Sequence, residues 1–181
     1  IELNPNLAEA FTNLGLIMMK LGKSKEAESS IRKAIKINPN SPEALNNLGN
    51  ILRDSGKTEE AISFWIKAVE LEPENDIAVK ELALQLCNFK RYQEAMKYLK
   101  ENKSEACQSL YLGCLLSLDR EKEFNLKYKE LIDKNYCNAD IGGILEHANI
   151  IYKKNYESPF CNKAIDYVWI DKINEELFPD S

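Results

Sequence analysis

Apolar residues in the first hundred positions recur at helical spacing, in short runs punctuated by Gly and Pro. Phe11, Leu14, Met18 and Leu21 lie three or four apart, which predicts a helix from Ala8 to about Leu21. Gly22 supplies a residue that tolerates positive φ where that helix ends. Ser24 is placed to cap a second helix running to about Ile37, with Ala27, Ile31, Ala34 and Ile35 facing inward. Pro39 follows, where no further helical hydrogen bond is needed. The same order then recurs as a helix over 42–55, Gly56, a helix over 58–71, and Pro73.

The recurrence has one period. Pro5, Pro39 and Pro73 are 34 apart, as are Leu14, Leu48 and Leu82, and Ala27, Ala61 and Ala95. Gly15 pairs with Gly49, Gly22 with Gly56 and Ala34 with Ala68. So many registers at one spacing mark a repeat architecture of helix pairs. The small residues set its geometry, because Gly15 and Gly49 let the second helix of a unit approach the first closely. Phe11, Leu45, Ile31 and Trp65 fill the remaining space.

This arrangement resembles the tetratricopeptide repeat. The likeness rests on Phe11, Leu14, Gly15, Met18, Ala27, Ile31, Ala34 and Pro39, and then on Leu45, Leu48, Gly49, Leu52, Ala61, Trp65, Ala68 and Pro73. The resemblance implies an all-α fold, an α-α superhelix in which antiparallel helix pairs stack as a right-handed solenoid. Residues 8–41 and 42–75 are then two full repeats, and 76–103 a shortened third. The third departs late, with Asn102 where a small apolar residue is usual and Cys107 where proline would stand. Residues 104–137 read as a degenerate helix pair, on Leu110, Leu112, Gly113 and Leu116 and then Phe124, Tyr128 and Leu131. Residues 138–181 read as irregular helices, a cap or a connector: one over 141–154, a break at Pro159, and one over 164–177. Decay of this kind is expected of a terminal unit. Ile1-Glu2-Leu3-Asn4-Pro5-Asn6 matches Ile35–Asn40 in kind, so residues 1–7 read as the tail of a preceding repeat, in a piece of a longer protein of this family.

Composition narrows the function classes. A net charge of −5 over 181 residues does not suit a phosphate-backbone binder, so nucleic acid is not expected as a partner. No run approaches the roughly 18 apolar residues that cross a bilayer, so neither is a membrane. The five cysteines are an odd number with no C-x-x-C pair, which suits reduced thiols in a cytoplasmic protein. Cys107 and Cys114, seven apart, share a helix face; a redox pair fits that spacing, and two small buried side chains fit it better. Richness in Lys, Asn and Ile suggests a bacterial source.

Chemistry is sparse. His147 is the only histidine, and zinc needs at least three ligands at fixed spacing, so no metal or other cofactor is expected. No phosphate-cradling glycine loop or nucleophile elbow occurs. Gly142-Gly143 fits an anion at a helix start, a close helix contact or a break in the preceding turn, the latter two better. Trp65 sits at a core register, whereas Trp169 in the irregular region is open to ligand stacking. The chain is therefore not read as an enzyme.

The resemblance implies a concave groove lined by the first helix of each repeat. That places Glu9, Thr12, Asn13, Leu16, Met19 and Lys20 there, then Glu43, Asn46, Asn47, Asn50, Arg53 and Asp54, then Ile77, Lys80, Glu81, Leu84, Cys87 and Asn88. Asn13, Lys20, Asn46, Asn47, Asn50, Arg53, Lys80, Glu81 and Leu84 are the candidate peptide-binding residues. Asparagine amides both donate and accept, so they suit a peptide backbone, although they equally suit bonds between neighbouring helices. Repeats of this family that hold chaperone C-terminal carboxylates use a lysine, asparagine and arginine clamp. Its positions here are Thr12, Leu16, Asn47, Ile77 and Glu81, of which only Asn47 fits, and Glu81 would repel a carboxylate. The function expected is a protein-interaction scaffold for a peptide or partner protein. The alternative is the substrate-recognition arm of a larger bacterial transferase or oxygenase. Self-association through the truncated first repeat is a further expectation, because its apolar residues have lost a covering helix.

Overall fold

A computed structural model describes residues 5–134, 136, 139–154 and 156. Among these the chain forms nine α-helices and no strand. They are α1 (Pro5–Lys20), α2 (Ser24–Ile37), α3 (Pro42–Asp54), α4 (Thr58–Leu71), α5 (Asp76–Asn88), α6 (Tyr92–Leu99), α7 (Glu105–Ser117), α8 (Glu121–Asp133) and α9 (Ala139–Tyr152). The chain divides into two compact units, the first ending at Tyr98 and the second starting at Leu99. Pro159, the helix expected over 164–177, Trp169, Cys137 and Cys161 lie outside the described residues.

Local chemistry explains the boundaries. The first helices of the repeats end in one recurring turn. Lys23 N–H donates to Met18 C=O at 2.9 Å, Lys57 to Leu52 at 2.8 Å, Arg91 to Leu86 at 2.8 Å and Arg120 to Leu115 at 3.0 Å. This six-residue closure needs a left-handed residue just before the donor. Gly22 and Gly56 supply it at φ +72° and +76°. After α5 Lys90 takes that place at φ +57°, and in the second unit Asp119 does at +53°. A side chain there costs about 1 kcal/mol more than glycine. Lys90→Gly should therefore raise the urea midpoint of unfolding and Gly56→Lys should lower it; a fall with Lys90→Gly would contradict this account of the turn.

Caps follow the period only in part. Ser41, Asn75 and Ser104 side-chain oxygens accept from the N–H groups of Ala44, Ala78 and Cys107 at 3.3, 3.1 and 3.4 Å. Ser24, expected to cap the second helix, does not. It is already the first residue of α2, and the cap position is held by Lys23, with no side-chain bond. The glycine turn delivers the chain into α2 one residue earlier than a serine cap requires. At the other end α1 starts at Pro5 rather than Ala8, a first position where proline's missing N–H is not needed.

The core of the first unit is built from alternating small and large residues. Ala27, Ile31 and Ala34 of α2 are buried, as are Leu45, Leu48, Ile51 and Leu52 of α3, Ala61, Trp65 and Ala68 of α4, and Val79, Leu82 and Leu86 of α5. A Cβ on Gly49 would stand 2.6 Å from Trp65 Nε1, so the indole of α4 lies directly on the backbone of α3. Gly15 faces Ile31 in the same way. Leu14 and Leu21 of the apolar stripe on α1 are exposed, because among the described residues no helix covers that face.

In the second unit α7 packs against both α8 and α9. Its core holds Cys107, Leu112, Cys114, Leu115, Phe124, Leu131, Leu145 and Ala148. The two cysteines thus act as small core side chains. Phe124 of α8 meets the rings of Tyr152 and Tyr156 edge-on, at centroid distances of 5.7 and 5.5 Å. The Asn149 amide holds Tyr156 by both backbone groups, and the Tyr156 hydroxyl donates to Asn125 Oδ1. At this unit's start Gln108 is buried, and its Nε2 donates to the carbonyls of Leu99, at 3.3 Å, and Asn102. Asn102, also buried, accepts from Ser104 N–H at 2.9 Å. Two polar side chains therefore occupy the stretch where a tight repeat would place alanine and proline, and α6 stops after eight residues.

Candidate functional site

The candidate residues lie on α1, α3 and α5, the first helices of three successive pairs. Helical geometry explains why they share a side. Asn46, Asn50 and Arg53 fall three and four apart along α3, turned away from Leu45, Gly49 and Leu52, which face α4. Lys80 and Leu84 of α5 stand one period after Asn46 and Asn50, and Glu81 one period after Asn47.

Arg53 and Glu81 come together. Arg53 Nη1 is 2.6 Å from Glu81 Oε2, bridging α3 and α5, and its Nε is 3.0 Å from Asp54 Oδ1. The guanidinium carbon lies 5.9 Å from the ring centre of Trp65. This cation is thus flanked by two carboxylates and an indole, and offers little net positive charge to a ligand. Asn46 and Asn50 are half-buried, and the Oδ1 of each is shielded from solvent with no hydrogen-bond donor within the chain. Trp65 Nε1, wholly buried beside Gly49, likewise has no acceptor. Asn13, Lys20 and Lys80 are exposed, and Asn47, Glu81 and Leu84 half-buried.

Other residues expected on this side behave differently. Thr12 is buried, and its hydroxyl donates to Ala8 C=O at 3.1 Å, so it faces inward. Ile77 is exposed, while Leu16, Met19 and Cys87 are half-buried and add apolar contact area. The side presents Glu9, Glu43, Asp54 and Glu81 against Lys20, Arg53 and Lys80, four carboxylates to three cations, so it does not attract an acidic ligand.

The second helices carry a separate set of ion pairs. Arg32 of α2 lies 2.8 Å from Glu28 and 2.7 Å from Glu60 of α4. Lys57 reaches Glu28 at 3.5 Å, and Arg91 reaches Glu59 at 3.3 Å. The Arg32 hydrogen bond holds the Glu28 carboxyl below its ordinary pKa, and the bond to Glu60 holds Arg32 above its own. Exposed pairs of this kind add little stability singly. The three that join different helices were not anticipated from the sequence, because their partners lie 28, 29 and 32 residues apart.

Among the described residues no three His, Cys, Asp or Glu side chains are grouped so as to hold a metal ion. Burial pushes the His147 imidazole below its ordinary pKa, with no charged partner contributing. Gly143 of α9 has open space where a side chain would stand, so no close helix contact requires it. No described helix is long and apolar enough to cross a membrane.

Two family models described as tetratricopeptide repeat match the sequence, over residues 8–41 and 31–63. No curated protein matches it. Among solved structures, the fold is similar to MamA 41-end from Desulfovibrio magneticus RS-1, at 17% identity and TM-score 0.67, over 96% of this chain and 97% of that one. A MamA RS-1 double mutant gives 18% identity and TM-score 0.67, over 81% and 85%. A tetratricopeptide repeat protein from Parabacteroides merdae gives 20% and 0.64, over 83% of this chain and 61% of that one. Identities this low speak to fold alone, and the fold they share is an all-α helical repeat solenoid. The period, the glycine-closed helix pairs and the matched models converge: the chain carries tetratricopeptide repeats over residues 8–63, within an all-α helical repeat fold.

Proposed function

We propose that the side carried by α1, α3 and α5 binds an extended peptide segment of a partner protein, and that the chain works as a binding module rather than as a catalyst. The observation that carries this reading is the pair of shielded, unsatisfied Oδ1 atoms on Asn46 and Asn50. A buried acceptor without a donor costs free energy that a bound N–H recovers. Four residues of helix rise about 6 Å. Alternate N–H groups of an extended chain, which point the same way, are about 6.6 Å apart. Two asparagines at this spacing therefore match two successive like-facing amides of a peptide strand. Half-buried Leu84, Leu16 and Met19 and exposed Ile77 offer apolar contact to its side chains. The pairing of Arg53 with Glu81 and Asp54 favours a neutral or basic peptide over one ending in a free carboxylate.

Peptides selected on the intact chain from a random library test this. The selected sequences should be neutral or basic. The double substitution Asn46→Ala with Asn50→Ala should weaken them about tenfold or more, since two hydrogen bonds of about 1 kcal/mol each are lost. Its circular dichroism should be unchanged. Undiminished binding by the double variant would refute the reading. The exposed apolar positions of α1 support a second contact as well, self-association at high protein concentration.

A further inference from the structure

Asn46 and Asn50 lie on α3, which has a helix on either side. α1 packs against it, and the Arg53–Glu81 bridge joins α5 to it. One period before and after Asn50 stand Leu16 and Leu84, both half-buried. One period before and after Arg53 stand Met19 and Cys87, half-buried as well. The same step from Asn46 reaches Thr12, which is buried and donates inward to Ala8 C=O, and Lys80, which is exposed. The two flanks of α3 are therefore apolar at the registers of Asn50 and Arg53, and not at that of Asn46. Arg53 itself is held by Glu81 and Asp54, so the apolar end of the site presents no unpaired cation.

The backbone of an extended chain turns this asymmetry into a sequence requirement. In a strand the N–H and C=O of one residue point the same way, and those of the next residue point the opposite way. Side chains leave roughly at right angles to that direction, alternating from one side to the other. A strand whose alternate N–H groups meet the two asparagines therefore stands with its hydrogen-bonding edge on α3. Its side chains then point sideways, one parity toward α1 and the other toward α5. The residue that donates to Asn50 and the residue next to it, over Arg53, face opposite flanks.

Resting on the extended-peptide reading of this side, we propose that its ligand is a segment with two consecutive apolar residues at the Asn50 end. Leu16 and Met19 hold one of them, and Leu84 and Cys87 hold the other. The asparagines supply affinity that is blind to sequence, and the two apolar flanks supply the selection. Reversing the strand exchanges the flanks but leaves two neighbouring residues beside Asn50 and Arg53, so the requirement is the same for either direction. At the Asn46 end, beside Lys80, the segment is polar.

The test uses the intact chain and a peptide selected on it from the random library. Selected sequences should share two adjacent apolar residues. Methylating each backbone nitrogen of the peptide in turn removes one donor and keeps every side chain. Two positions separated by one residue should each lose about tenfold in affinity, and the residue between them less than about threefold. This scan needs no variant of the chain. Alanine at either apolar position should cost about tenfold on the native chain. On Leu84→Ala one of these losses should shrink to less than about threefold with the other unchanged, and on Leu16→Ala the reverse, as coupling across each flank requires. Circular dichroism should show both variants folded. Selected peptides that ignore the double substitution of Asn46 and Asn50 would take down the extended-peptide reading and this proposal together. Peptides that depend on the asparagines would leave that reading standing and still overturn this proposal if sensitive N-methyl positions are adjacent or three to four residues apart, or if both apolar residues couple to one flank.

Discussion

Gly49→Leu is expected to lower stability by about 1–3 kcal/mol, the usual range for overpacking a filled interior, and toward its upper end. Even the first atom of the new side chain has no room, because a Cβ would stand 2.6 Å from Trp65 Nε1 and 2.7 Å from Cε2. The indole is rigid and wholly buried, so it cannot turn aside. Gly49→Ala carries most of the same clash. Gly15→Ala is the informative comparison. There the obstacle is Ile31, whose Cδ1 lies 2.5 Å from the built Cβ but ends a flexible side chain. Alanine also gains about 1 kcal/mol of helix propensity over glycine. Gly15→Ala should therefore be close to neutral while Gly49→Ala destabilises. Urea denaturation of the three variants decides; a Gly49→Leu midpoint equal to that of the native chain would mean α3 and α4 do not cross where they are placed.

Phe124→Ala should have the larger effect, about 3–5 kcal/mol. Phe124 is fully buried in the smaller core of the second unit and joins α8 to α9. Its ring meets Tyr152 and Tyr156 at interplanar angles of 69°, and Tyr156 in turn meets Tyr128 at 5.4 Å. Removing it leaves a cavity and strips two edge-on partners, each pair contributing about 0.5–1.5 kcal/mol beyond burial. Phe124→Leu, which refills much of the volume, should cost clearly less. Near-ultraviolet circular dichroism should lose tyrosine signal in the alanine variant. An unchanged spectrum with an unchanged denaturation midpoint would show that this cluster does not organise the unit.

Much of the first unit was legible because its rules repeat. One helix pair is weak evidence, but Gly15 with Gly49, Ala27 with Ala61 and Gly22 with Gly56 make the same packing statement twice. The close approach at Gly49 followed from that repetition, and the Trp65 indole is what fills it. The failures are equally specific. Ser24 has the chemistry of a cap, but the glycine turn before it leaves no residue for one. Leu14 has the character of a core residue, and only a neighbouring helix decides whether it is one. Gln108 was missed because it belongs to no register; a buried glutamine that closes the end of α6 is visible only once the chain has turned. Arg53 and Glu81 were read as two separate contacts for a ligand. They lie 28 residues apart on different helices, so their mutual bond carried no local signal.

The uncovered side of α1 also bears on motion. In a repeat array each helix pair is held by its own contacts and by its immediate neighbours. α3 is clasped from both sides, whereas α1 has nothing beyond it among the described residues, so the free energy needed to open each helix locally is unequal along the first unit. Two helices of closely similar sequence thereby acquire different lifetimes in the folded state. Among the described residues, α3 is therefore the harder of the two to open.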